Sequence, residues 1–178
     1  MTYSAVFITT SVTVTLAALF DIHTRRIPNW ITVPAFFTGL ILHYGHAGWA
    51  GALDGLLGFA IGFGLFFLLW LLGGKGAGDA KLIGAVGALL GWYQLLVALV
   101  FIAGVGGLLA SLYVLKRRAI QQTLANLAEF PAHVRRRLFH PRAGAGAGPL
   151  TLRSPTAITF PYGVPIAVGA LLSFFVPR

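Results

Sequence analysis

The run GLLGFAIGFGLFFLLWLL, Gly55–Leu72, carries no charged residue over its whole length. A helix needs about 17–25 mostly apolar residues to cross the hydrocarbon of a bilayer, and this stretch meets that need. Working outward, five more apolar stretches read the same way: Tyr3–Phe20, Trp30–Ala47, Ala80–Leu90, Tyr93–Leu115 and Ala157–Val176. Ala80–Leu90 is short and rich in small residues. Turn and aromatic residues mark the borders, at Pro28-Asn29-Trp30, Gly73-Gly74 and Gly91-Trp92-Tyr93, as expected where helices meet the membrane interface. Of the 178 residues, 57% are hydrophobic and only 10% charged, and the mean hydropathy is +0.84. A soluble domain carries about a quarter charged residues, so this chain has to place its surface in lipid. The sequence predicts an all-α polytopic membrane protein of about six transmembrane helices, residues 1–178 forming a single membrane-embedded domain.

The basic residues orient it. Lys and Arg occur at Arg25 and Arg26, at Lys75 and Lys81, and eight times between Lys116 and Arg153, which are alternate connections of the six-helix reading. The other connections have none, and of the 13 cationic residues only Arg178 falls on the opposite side. By the positive-inside rule the basic loops are cytoplasmic and both termini periplasmic. The first helix has its arginines after the apolar run rather than before it, unlike a signal peptide, and is read as retained. Its hydroxyls, Thr9, Thr10, Ser11, Thr13 and Thr15, suit a face that packs on other helices. Residues 116–156 form a basic cytoplasmic loop before the last helix. Within it Ile120, Leu124 and Leu127 follow helical spacing, and the expected partner is an anionic lipid surface. Nucleic acid is not expected there, since the segment has a membrane span on either side. Glycines within the helices, such as Gly58, Gly62, Gly104 and Gly107, read as points of close helix packing.

Only four residues are acidic. Glu129 sits among arginines in the basic loop and reads as a solvated charge. Asp54, before the third helix, reads as a cap for exposed backbone N–H groups. Asp21 and Asp79 differ, because the topology drawn from Lys and Arg alone puts both at the cytoplasmic edge of the membrane. Singly, each has an ordinary reading as a capping or paired charge. Together they form a possible acid–base pair: two carboxylates in a low-dielectric site share one proton. One can then activate water while the other, protonated, donates to a peptide carbonyl, a hydrolysis that needs neither cofactor nor metal. Gly76 and Gly78 beside Asp79 leave room for a substrate backbone. The histidines offer no metal set: His43 and His46 lack acidic or thiol company, and the chain has no cysteine. A proton-coupled transporter with intramembrane carboxylates and a non-catalytic secretion-assembly protein are the competing readings.

Three segments then carry a resemblance. Gly74-Lys75-Gly76-Ala77-Gly78-Asp79-Ala80-Lys81-Leu82 resembles the G-x-G-D signature, in its longer G-x-G-x-G-D-x-K-L form, of the type IV prepilin peptidases, polytopic aspartyl proteases. Asp21 through Ile27-Pro28-Asn29 resembles the family's D-x-x-x-x-x-I-P-N pattern, and Pro161-Tyr162-Gly163-Val164-Pro165 its P-Y-G-x-P/A start of the last helix. The resemblance implies that Asp21 and Asp79 are catalytic, with Gly76, Gly78, Lys81, Pro28, Asn29, Pro161, Tyr162 and Gly163 in support. It also implies cleavage of the leader from prepilin or pseudopilin precursors at the cytoplasmic face of the bacterial inner membrane. Larger members add a cysteine-bearing cytoplasmic domain ahead of the first aspartate and methylate the new N-terminus. Here one helix precedes Asp21, so the expectation is a peptidase without methyl transfer or S-adenosylmethionine, similar to those of Flp, or tight-adherence, pili.

Overall fold

The computed structural model of the chain describes residues 2–71, 77–116 and 162–176. Five α-helices, α1 (Thr2–Thr24), α2 (Asn29–Leu71), α3 (Ala77–Leu90), α4 (Trp92–Lys116) and α5 (Gly163–Leu172), account for nearly all of them, and a 3-10 turn (Ser173–Phe175) ends the last. No strand occurs among the described residues, as the all-α expectation requires. The loop 116–156 lies, but for Lys116 at the end of α4, outside the described residues, as do Lys75, Gly76 and Pro161.

At 43 residues α2 would run about 65 Å if straight, twice the thickness of a hydrocarbon core. It does not run straight. Ala47 (φ −136°, ψ 22°) and Gly48 (φ 59°, ψ −140°) leave helical geometry, and Gly48 supplies the positive φ that lets the chain reverse. Residues 29–46 and 49–71 therefore form two arms of a helical hairpin, corresponding to the second and third apolar stretches. Phe36 meets Phe59 with ring centroids 4.7 Å apart, and His43 Nδ1 lies 3.3 Å from Asp54 Oδ2. Pairs summing to nearly the same number are the mark of antiparallel arms. Helices α1, α2 and α4 are long and apolar enough to cross a membrane. Their surface confirms the solvent: Val100 is 73% exposed and Ile41 69%, a display of large apolar side chains that water would not tolerate.

Helix α3 sits in the cleft of this hairpin. Every residue from Leu82 to Leu90 is buried, and Leu82, Ile83 and Leu89 are fully so. Its 14 residues reach only about 21 Å, short of a bilayer core, and its walls are protein. The approach is backbone to backbone. A Cβ on Gly58 would collide with the Gly87 carbonyl and one on Gly87 with the Gly58 carbonyl, while one on Gly62 would lie 2.8 Å from the Ile83 carbonyl oxygen. Gly58 and Gly62 thus have the packing role expected of them. Gly104 and Gly107 show no such contact, since among the described residues nothing lies within 4 Å of a Cβ at either.

Several polar groups of the helices are matched to partners, while the buried Thr10 Oγ1 and Gln94 Oε1 have none among the described residues. Thr9 and Ser11 turn back onto the carbonyls of Ala5 and Phe7 at 2.8 and 2.7 Å, which satisfies a hydroxyl without a neighbouring helix. Of Thr9, Thr10, Ser11, Thr13 and Thr15, only Thr10 and Thr13 are buried. Asp54 does not cap a helix as expected. It lies within the second arm and pairs with His43, whose Nε2 lies 3.0 Å from the Leu89 carbonyl oxygen. That chain of contacts ties both arms to the end of α3. At Gly91 (φ 78°) the backbone turns from α3 into α4, and a side chain there would strike the Asp54 carboxylate.

Gly58→Ala is expected to force the second arm and α3 apart and to cost about 1–3 kcal/mol. Gly64→Ala, with open space around the new methyl, is expected to be neutral or stabilising. Thermal unfolding of the two variants in detergent checks the pair.

Candidate active site

Helix α1 ends just beyond Asp21. Arg25 takes a left-handed conformation (φ 51°), and its N–H donates to the Asp21 carbonyl at 2.9 Å. Pro28 cannot continue a helical ladder, so α2 restarts at Asn29. The strap between the helices is drawn onto α3. Ile27 is 9% exposed, and its Cβ would lie 3.5 Å from a Cβ on Gly78. Asn29 Oδ1 accepts a 3.1 Å hydrogen bond from Lys81 Nζ.

Asp21 is buried at 7% exposure. Its Oδ2 accepts a 2.8 Å bond from the backbone N–H of Gly163, the first residue of α5. Bonds between an ionised carboxylate and a backbone amide are among the stronger hydrogen bonds in proteins, and the positive end of a helix reinforces them. A Cβ on Gly163 would lie 3.0 Å from both the Asp21 Cβ and Oδ2. The Tyr-Gly pair therefore has a physical reason at its glycine: no larger residue lets the amide reach Asp21. Tyr162, just before α5, packs its ring against Phe66 at 6.2 Å. Its hydroxyl oxygen lies 3.1 Å from the Cβ position of Gly106 on α4.

Asp79 occupies the first turn of α3, in the glycine-rich segment outside the three long apolar spans. Its pKa is raised well above the usual carboxylate range, first by burial and second by the negative charge of Asp21. The two carboxylates thus feel each other directly, and the charge of Asp79 reaches Tyr162 as well. Among the described residues no hydrogen bond is made to the Asp79 carboxylate.

Asp21, Asp79, Gly78, Pro28, Asn29, Lys81, Tyr162 and Gly163 come together at one end of the bundle, from four helix termini distant in sequence. Phe66 and Gly106 lie against Tyr162 and carried no signal in the sequence. One lies in an unbroken apolar run and the other in a glycine cluster whose other members, Gly104 and Gly107, meet none of the described residues within 4 Å of a Cβ. His43 and Asp54 pair at the opposite end of the hairpin and take no part. A buried acid with a neighbouring carboxylate can hold a proton at a pH where free carboxyls are ionised. Such a pair can do acid and base work at once.

Residues 8–112 match the type IV leader peptidase family. The chain is 36% identical over 121 residues to the prepilin leader peptidase/N-methyltransferase of Dickeya chrysanthemi, covering 63% of this chain and 42% of that protein. It is 32% identical over 98 residues to the protein of the same description in Escherichia coli (strain K12), covering 51% of this chain and 43% of that one. The chain thus spans about two fifths of the length of these relatives. No solved structure matches it.

An acid whose pKa is higher folded than unfolded binds its proton more tightly in the fold. Its stabilising contribution is complete below the ordinary carboxylate range and is lost as pH rises through the raised folded value. Asp79→Asn is therefore expected to melt at a higher temperature than wild type at neutral and alkaline pH. The difference should vanish in acid, where Asp79 is neutral in both states. Melting curves in detergent from pH 4 to 9, a range of roughly the span over which carboxyls titrate, give the comparison.

Proposed function

Because the chain belongs to the type IV leader peptidase family, we propose that it is an aspartic endopeptidase. Its substrates are prepilin or pseudopilin precursors, whose leader peptides it removes at the cytoplasmic face of the inner membrane. The observation that carries this reading is the meeting of Asp21 and Asp79. They lie on different helices, yet the charge of one acts on the other in a buried site.

The chemistry follows from the pair. One proton is shared between two carboxylates that cannot both ionise cheaply. The ionised member takes a proton from water as the water oxygen attacks the scissile carbonyl carbon. The protonated member gives its proton to the carbonyl oxygen, forming a neutral tetrahedral diol. Collapse of the diol breaks the C–N bond as the amine nitrogen takes a proton from the carboxyl that gained one and a diol hydroxyl returns its proton to the other carboxylate. The pair ends as it began, with one proton. Gly163 holds Asp21 in place through its amide, and Gly78 keeps the first turn of α3 close to the strap.

The arrangement of basic residues supports the orientation. Arg25 and Arg26 follow Asp21, and Lys81 follows Asp79, so the aspartates share the positive, cytoplasmic side. Both termini then face the periplasm, α2 crosses twice, and the crossings number about six. The basic segment 116–156 binds anionic head groups and holds the cytoplasmic face to the leaflet. A leader at that face reaches the pair with the precursor's apolar helix still in the bilayer.

Co-expression of a prepilin precursor with wild type, Asp21→Asn or Asp79→Asn is expected to give mature pilin only with wild type. The two variants should lose at least about 10³-fold in rate, as removal of a member of an acid–base pair does. Mature pilin accumulating with either variant, read by gel mobility and N-terminal sequencing, would defeat the assignment. A transporter would instead move protons or solute in liposomes and leave the precursor whole.

A further inference from the structure

We infer that Lys81 is a positioning residue for the aspartate pair, acting through Asn29 to hold the Ile27–Asn29 strap on α3. The inference rests on the peptidase reading above. Asp21 and Asp79 stand on helices with separate origins, and something must fix their separation. The strap begins within a few residues of Asp21, and two non-covalent contacts attach it to α3. Ile27 lies over Gly78, one residue before Asp79. Lys81, two residues after Asp79, donates to Asn29 Oδ1 at 3.1 Å. Asp79 is bracketed by the two attachments.

Helix geometry separates this role from an electrostatic one. Residues two apart on an α-helix are turned by about 200°, so Lys81 and Asp79 do not leave α3 from the same face. The ammonium is engaged with Asn29 at 3.1 Å. A lysine bound only to lipid head groups would have no reason to meet a side chain at the start of another helix. Nor is the bond a strut for the fold. Lys81 and Asn29 are both exposed, and a hydrogen bond in such a place contributes little to stability. Its effect belongs in the rate, where misplacing catalytic groups by 1 Å can cost on the order of 100-fold.

The test uses the full chain in liposomes with a prepilin precursor. Lys81→Met and Asn29→Ala should each lower kcat about 10- to 100-fold with KM little changed. The double variant should lose no more than either alone, because both remove one interaction. Lys81→Arg and Asn29→Asp, which keep a donor and an acceptor, should recover most of the rate. The pH dependence of kcat should stay where it is in wild type. Three results would each overturn the inference: unchanged kcat in Lys81→Met, a displaced pH profile, or losses that multiply in the double variant. A fall in melting temperature as large as that of Gly58→Ala would also overturn it by making Lys81 a structural strut. Wild type that leaves the precursor uncut defeats the peptidase reading itself, whereas an active wild type matched by Lys81→Met defeats only this one.

Discussion

Close backbone contact between α3 and the second arm of α2 is the constraint on which the rest depends. Lipid tails are as apolar as leucine, so helices in a bilayer gain little by burying apolar side chains against one another. What remains is van der Waals contact and interhelical hydrogen bonding, and both grow as backbones approach. Gly58 and Gly87 face each other across this interface, each lying where the other could not carry a side chain. Their contact draws α3 into the hairpin deeply enough to bury nearly its whole length. A short helix so enclosed can bring a carboxylate to the membrane edge without presenting it to lipid. Asp79 is reached by burial because α3 is, and the raised pKa of Asp79 follows from the packing of glycines farther along the same helix.

The two ends of α3 are fixed by different chemistry. At its C-terminal end Leu89 offers its carbonyl to His43, and His43 meets Asp54 across the α2 hairpin. These contacts occupy polar groups that would otherwise be stranded in an apolar interior. At its N-terminal end the contacts are looser and more exposed: one apolar side chain over Gly78 and one lysine on Asn29. The end proposed to be catalytic needs entry for a peptide and cannot be sealed by the means used at the other. Stability therefore concentrates where no chemistry is proposed.

Much of this was legible in the sequence. Helical class and the borders of the long apolar runs followed from composition and length. The reversal within α2 was legible as the gap between the second and third apolar stretches, and Gly48 supplies the turn. Asp21 and Asp79 were conspicuous because acids are scarce here. What the residues did not disclose depended on partners far along the chain. Asp54 read as a cap because its neighbour His43 is only found by folding the hairpin. Gly163 read as part of a motif, yet its reason lies 142 residues away, in the space beside the Asp21 carboxylate. Gly104 and Gly107 look the same in sequence as Gly58 and Gly62. Only the packing tells them apart, because small size permits an approach without causing one.

The two carboxylates are held unequally, and this inequality is built from the same sequence segments that carry the resemblance. Asp21 has one oxygen committed to the Gly163 amide at the start of α5. Its position is thus set by a third helix that also carries Tyr162. Asp79 has no such bond among the described residues, and the strap meets α3 on either side of it. A pair fixed at one member and positioned by backbone at the other needs both α5 and the strap in register. This explains why three segments so far apart in the chain, each modest by itself, belong to one site: each supplies a constraint that the other two lack.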